Sequence, residues 1–105
     1  MSGYVILIPA NPLKPMRWHD ATRAPSLCRL QRIVGGYIEA VPHWDDHIGT
    51  PCVVWCNEEG KLNELPFNSR ATGLWWAHLG QRVDDVLVGN VVLCAGFPED
   101  VDDDC

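Results

Sequence analysis

A chain of 105 residues suffices for one hydrophobic core, and a composition 47% hydrophobic and 21% charged is that of an ordinary globular domain. No apolar run approaches the ~20 residues of a membrane-spanning helix. The net charge of −6 is uneven, because Glu99, Asp100, Asp102, Asp103 and Asp104 leave residues 1–98 with eight bases against nine acids, a near-neutral body that argues against long nucleic acid.

Tyr4 to Pro9 reads as a first strand, and with no basic region before it this short apolar run is not a signal peptide. Ala10 to Pro25 is rich in proline and predicts an irregular loop, long for a compact domain and therefore functional or mobile. It carries Trp18 and His19. Between residues 10 and 35, Lys14, Arg17, Arg23, Arg29 and Arg32 face Asp20 alone, a local charge of +4 suited to a small anion. Ser26 then caps a short helix whose stripe is Leu27, Leu30, Ile33 and Val34 and whose end is Gly35-Gly36. Cys28, Arg29, Gln31 and Arg32 fall largely outside that stripe.

Tyr37 to Val41 is the next strand, stopped by Pro42. His43-Trp44-Asp45-Asp46-His47 would align two histidines for a metal only as a helix, and Pro42 before it and Gly49 after it make it a loop. Cys52 to Cys56 is a strand whose two cysteines share a face ~13 Å apart, too far for one tetrahedral ion. No metal is expected. Five cysteines with no secretory signal predict reduced thiols, mostly buried as small hydrophobes. Asn57-Glu58-Glu59-Gly60-Lys61 reads as a reversal, with Gly60 supplying a positive backbone angle.

Leu65-Pro66 ends an extended stretch, and Asn68 or Ser69 caps a second helix running through Ala71, Leu74, Trp75 and His78 to about Leu79, closed by Gly80. Its N-terminus offers free backbone N–H groups to an anion. Arg70 adds a planar charge suited to phosphate, and Asn68 and Thr72 add groups that fix orientation. Trp75 and Trp76 project about 100° apart, so at least one of them lies at a rim. Trp18 and Trp44, placed in loops, are free to stack on a ligand, whereas Trp55 is a core residue. Asp85 to Cys94 reads as the last strand, with Gly89-Asn90 as a bulge or a tight turn. Beyond Pro98 the acidic tail lacks apolar residues apart from Val101 and is expected to be disordered.

The fold class that follows is α+β: a single domain over 1–98, a mostly antiparallel sheet of four to five strands, two short helices, and an acidic tail over 99–105. Three segments in order, Leu30-Gln31-Arg32-Ile33-Val34-Gly35-Gly36-Tyr37-Ile38-Glu39, Asn57-Glu58-Glu59-Gly60-Lys61 and Leu65-Pro66-Phe67-Asn68-Ser69-Arg70-Ala71-Thr72, resemble the signature of domain of unknown function 3846. That family occurs largely in phages and other mobile elements, and the resemblance implies a protein acting in the cytoplasm of an infected bacterial host.

No catalytic template is met: there is no phosphate-loop pattern, no nucleophile elbow and no metalloprotease histidine pair. The expectation is therefore a noncatalytic, phage-type anti-defence protein without cofactors that sequesters a small anionic, nucleotide-derived signal, such as a cyclic nucleotide. Arg70 with Arg29 or Arg32 would meet phosphates. Asn68, Thr72 and Gln31 would orient the ligand, and Trp18, Trp44 or Trp76 would stack on a base. The alternative is an inhibitor or adaptor that disables a host defence factor or nuclease by direct contact, its acidic residues imitating nucleic acid. The surplus of tryptophans further predicts a homo-oligomer, a symmetric dimer first.

Overall fold

The computed structural model describes residues 3–97, so the acidic tail lies outside the described residues. β1 (Gly3–Ile8), β5 (Thr50–Asn57) and β6 (Val91–Ala95) supply the apolar centre of a six-stranded antiparallel sheet completed by β2 (Arg17–Ala21), β3 (Ile38–Ala40) and β4 (Asp46–His47). The strand order is β2-β1-β6-β5-β3, with β4 pairing β5 off this path. The last strand among the described residues is thus the middle of the sheet. With helices α1 (Leu27–Val34) and α2 (Ser69–Leu79) the architecture is α+β, with one strand more than the sequence suggests.

Strand alternation divides the core between the two sheet faces. Val5 of β1 and Val92 and Cys94 of β6 face α1, where they pack with Leu30 and Val34. Ile6 and Ile8, with Val91, Leu93 and Ala95, face the other way and meet Ala71 and Trp75 of α2. The helices therefore cover opposite faces.

Both helices end as their sequences dictate. Ser26 accepts a hydrogen bond from the Arg29 N–H at 3.2 Å, and Gly35, at φ +81°, returns its N–H to the Gln31 carbonyl at 2.8 Å. Asn68 caps α2 by accepting from the Ala71 N–H at 3.0 Å, and Gly80 closes it in the left-handed region.

Four expectations are corrected. First, the Ala10–Pro25 segment is not irregular throughout, because Arg17–Ala21 pairs with β1 from Gly3↔Ala21 to Leu7↔Arg17. An Asn11–Lys14 turn precedes it, where the Lys14 N–H reaches the Asn11 carbonyl at 3.0 Å. Second, residues 46 and 47 are a strand, paired with Pro51 and Thr50 through a two-residue turn at Ile48-Gly49. Third, β6 begins at Val91 and not at Asp85. Gly89, at φ +73°, is neither a bulge nor a hairpin turn: its N–H binds the Pro66 carbonyl at 2.7 Å, and the Asn68 N–H takes the Leu87 carbonyl, so residues 87–89 run along the start of α2. Fourth, Gly60 does not supply the positive angle of the 57–61 reversal. Its value is space, since a Cβ there would lie 2.9 Å from Val88 Cγ2.

Candidate functional site

A concavity of about 530 Å³ opens on the α2 face of the sheet, between α2, β2 and the β4 hairpin. Ile6, Ile8 and Leu93 form its floor, and Leu74, Ala77 and His78 of α2 form one wall. Met16, Arg17 and Trp18 form the second wall, and Asp46, His47 and Ile48 the third. Met16, Trp18, Ile48 and Leu74 are among the large apolar side chains left exposed, and all four converge here. Scattered apolar exposure is ordinary on a surface, but convergence on one concave wall makes this the candidate site.

The walls are braced by aromatic stacking. Ile6 lies opposite Trp18 in the β1–β2 register, so Trp18 projects to the α2 face. There it stacks on Tyr4, centroids 4.3 Å apart and planes within 15°. Tyr4 Oη is 2.6 Å from His47 Nδ1, which ties the β4 hairpin to β1, and the His47 ring lies 5.8 Å from Trp18. On the other side His78 Nε2 is 3.7 Å from Asp45 Oδ1. The Asp46 carboxylate accepts from the Gly49 N–H at 3.0 Å. Arg17 is the only arginine or lysine lining this cavity.

The hairpin tip is strained. Ile48 and Gly49 both have positive φ, +51° and +82°, the geometry of a type I′ turn. Glycine takes such angles freely, but a β-branched side chain is an outlier there. Ile48 holds its side chain 84% exposed at the cavity lip.

Several residues singled out in the sequence have different roles. Asn68 is 0% exposed, its amide donating to the Ile8 carbonyl at 2.8 Å and the Gly89 carbonyl at 2.9 Å while its oxygen caps α2. Thr72 is equally enclosed, its hydroxyl accepting from the Leu87 N–H at 2.9 Å and donating to the Leu87 carbonyl at 3.4 Å. Both are structural polar groups with their partners inside the fold. Arg70 donates from one guanidinium nitrogen to the Pro9 carbonyl at 2.7 Å and the Asn11 carbonyl at 3.1 Å, holding the chain that leaves β1.

The remaining candidates divide between the two faces. Arg29, Gln31 and Arg32 ride on α1, across the sheet from Arg70, so phosphate contacts shared by these arginines are not brought together. Trp44 is not a free loop aromatic but a core residue, 4% exposed. It still touches the cavity from below. Trp76 is half-buried, its indole N–H donating to the Asp85 carbonyl at 3.1 Å under the Arg82 guanidinium, 5.2 Å from the ring. Of the three tryptophans proposed to stack on a ligand, Trp18 alone is presented for it. Met16, His47, Ile48 and His78 line the cavity although sequence reasoning placed none of them in a ligand site. The signal available for His47 and Ile48 was the hairpin Asp46-His47-Ile48-Gly49-Thr50.

The thiols are not poised for nucleophilic attack. Burial first, then Asp46 and Asp45, pushes Cys52 up to about 11; burial and the Glu39 carboxylate push Cys56 to about 11; burial and Cys52 push Cys94 to about 12. These three cysteines are free thiols. Among the described residues no cluster of three or more His, Cys, Asp or Glu could hold a metal ion, and no helix is long and apolar enough to cross a membrane.

The family described as Domain of unknown function (DUF3846) matches residues 4–105 of this chain. The chain belongs to that family. No curated protein and no solved structure matches it. In this DUF3846 chain the three motif segments carry fold, as their geometry explains. The first is α1 with its glycine stop and β3. In the second, Asn57 makes the reversal, its oxygen accepting from the Glu59 N–H at 2.8 Å and its amide donating to the Val34 carbonyl at 3.1 Å, and Lys61 pairs with Asp85. The third delivers Asn68, which joins the end of β1 to the start of β6. The candidate cavity of the DUF3846 fold lies outside these segments.

Proposed function

We propose that this protein is a noncatalytic binding protein whose α2-face cavity captures a small ligand with a flat aromatic part and an anionic group, as in a nucleotide-derived signal. The observation that carries this reading is the exposed Trp18 ring, held flat by Tyr4 at the wall of an apolar concavity of about 530 Å³. A ring fixed in advance stacks on a base without an ordering cost. Leu74 and Ile48 would cover the opposite side of the base. His47 and His78 supply hydrogen-bonding groups at the edge for the anionic end. In the setting of mobile elements, which the resemblance implies, such capture would withhold a host immune signal without cleaving it.

Calorimetry and thermal melts against a panel of cyclic and linear nucleotides test the reading. The expected result is a ligand that raises the melting temperature and returns chemically unchanged after denaturation of the complex. Trp18→Ala should weaken it by about 1–3 kcal/mol, the scale of base–aromatic stacking. No ligand-dependent change across the panel would overturn the reading and favour inhibition of a host protein by contact; turnover of the ligand would overturn the noncatalytic part.

A further inference from the structure

We propose a second small-molecule site on the opposite face of the sheet, in the cleft between β2 and α1, where Arg23 and Arg29 receive the phosphate of a small organic phosphomonoester. The cleft encloses about 480 Å³. Its floor is apolar, made by Val5, Leu7 and Ile33, and its rim carries the cations Arg23 and Arg29 with the His19 imidazole beside them. His19 stands opposite Val5 in the β1–β2 register, which puts it on the α1 side of the sheet.

The charge there is uncompensated. Asp20 is the one acid lining the cleft, but it lies opposite Tyr4, and its carboxylate oxygen accepts from the Trp18 indole N–H at 3.4 Å on the other face. The ion pairs among the described residues, Lys61–Asp85 and His78–Asp45, involve neither arginine. Two guanidinium groups over a concave, half-apolar wall concentrate positive potential where a ligand also gains hydrophobic contact. Guanidinium matches phosphate with paired hydrogen bonds, whereas the floor suits a short carbon skeleton. The Ser26 hydroxyl, which accepts from the Arg29 N–H at 3.2 Å, keeps its own proton to donate into the cleft. This site is independent of the one proposed for a flat ligand, since β2 presents Trp18 to one cavity and His19 to the other.

Three probes separate the contributions: n-butyl phosphate, inorganic phosphate and 1-butanol, titrated into the full chain and followed by amide shifts in nitrogen-labelled protein. Butyl phosphate should bind most tightly, inorganic phosphate more weakly and butanol not at all, with shifts at residues 19–29 and a loss of affinity as salt rises. Arg23→Gln with Arg29→Gln should weaken butyl phosphate about tenfold or more, the cost of losing charge-assisted hydrogen bonds. A melting temperature within a few degrees of the parent certifies that the double variant is folded. Equal affinity in that variant, shifts confined to the Trp18 face, or no saturable shift with butyl phosphate would overturn the proposal.

Discussion

Tyr4 and His47, 43 positions apart, meet through a 2.6 Å hydrogen bond that fastens the β4 hairpin to the first strand. The same Tyr4 ring lies flat against Trp18. One side chain on β1 therefore sets the position of two cavity walls, and its hydroxyl and its ring do separable work.

Tyr4→Phe isolates the hydroxyl. The stack on Trp18 remains, so the protein should fold with a loss of about 0.5–1.5 kcal/mol, the net value of one hydrogen bond. The β4 hairpin loses its tether, and amide exchange at Asp46 to Gly49 should accelerate while α1 and β6 keep their protection. Ligand affinity at the Trp18 cavity should fall a few-fold. Exchange identical to the parent across the hairpin would show that the turn stands without Tyr4.

Ile48 offers a test of strain held at the cavity lip. Asn-Gly is the preferred pair for a type I′ turn, and Ile48-Gly49 sets a β-branched residue in the left-handed region. Ile48→Asn should raise stability by about 1 kcal/mol in denaturant unfolding, because asparagine accepts this conformation and Ile48 is too exposed to contribute core packing. The same change should weaken a flat ligand by removing the apolar lip. A variant both more stable and equally good at binding would place Ile48 outside the site.

These residues also show where the sequence was readable. α1 and, to within a residue at its cap, α2 were legible because Ser26, Asn68, Gly35 and Gly80 are local signals whose geometry needs no distant partner. β2 was not, since Arg17-Trp18-His19-Asp20 has no apolar alternation and becomes a strand only because the edge of β1 lies beside it. β4 depended on positive φ at Ile48, which composition opposes. Trp18 was recognisable as an exposed aromatic. Asn68 and Thr72 were misread for a physical reason: a capping motif does not tell whether the remaining donors meet a ligand or two buried carbonyls sixty and twenty-one positions away.

That difference has a measurable consequence at the start of α2. Asn68→Ala removes a cap and leaves the Ile8 and Gly89 carbonyls without their buried donor, so a loss of about 2–4 kcal/mol is expected. Asn68→Asp keeps the capping oxygen but turns an acceptor toward both carbonyls, and should be no better. Arg70→Ala should cost less, about 1–2 kcal/mol, because one of its two carbonyl partners is at the surface and water replaces it. Urea unfolding of the three variants orders them. An Asn68→Ala protein as stable as the parent would return Asn68 to the list of ligand contacts.

The buried thiols give the last prediction, a dependence on alkaline pH. An unfolded cysteine titrates near 9.0, whereas Cys52 and Cys56 are held up to about 11 and Cys94 to about 12, chiefly by burial. Above pH 9 the unfolded chain releases protons that the folded chain retains, so unfolding is favoured as pH rises. The contribution of these groups is intact below pH 9 and is lost progressively between 9 and 12. Cys94 sits over α1 between Val5 and Val53 in the sheet register, and its ionisation is the most strongly opposed of the three. Cys94→Ala should therefore flatten the alkaline fall in stability while lowering stability at pH 7 by the packing it removes. Alkylation by iodoacetamide at pH 8 should be slow for all three free thiols in the native protein and rapid in urea. Native-state labelling of Cys94 as fast as that of an unfolded thiol, or an unchanged alkaline slope in Cys94→Ala, would contradict this account of the thiols.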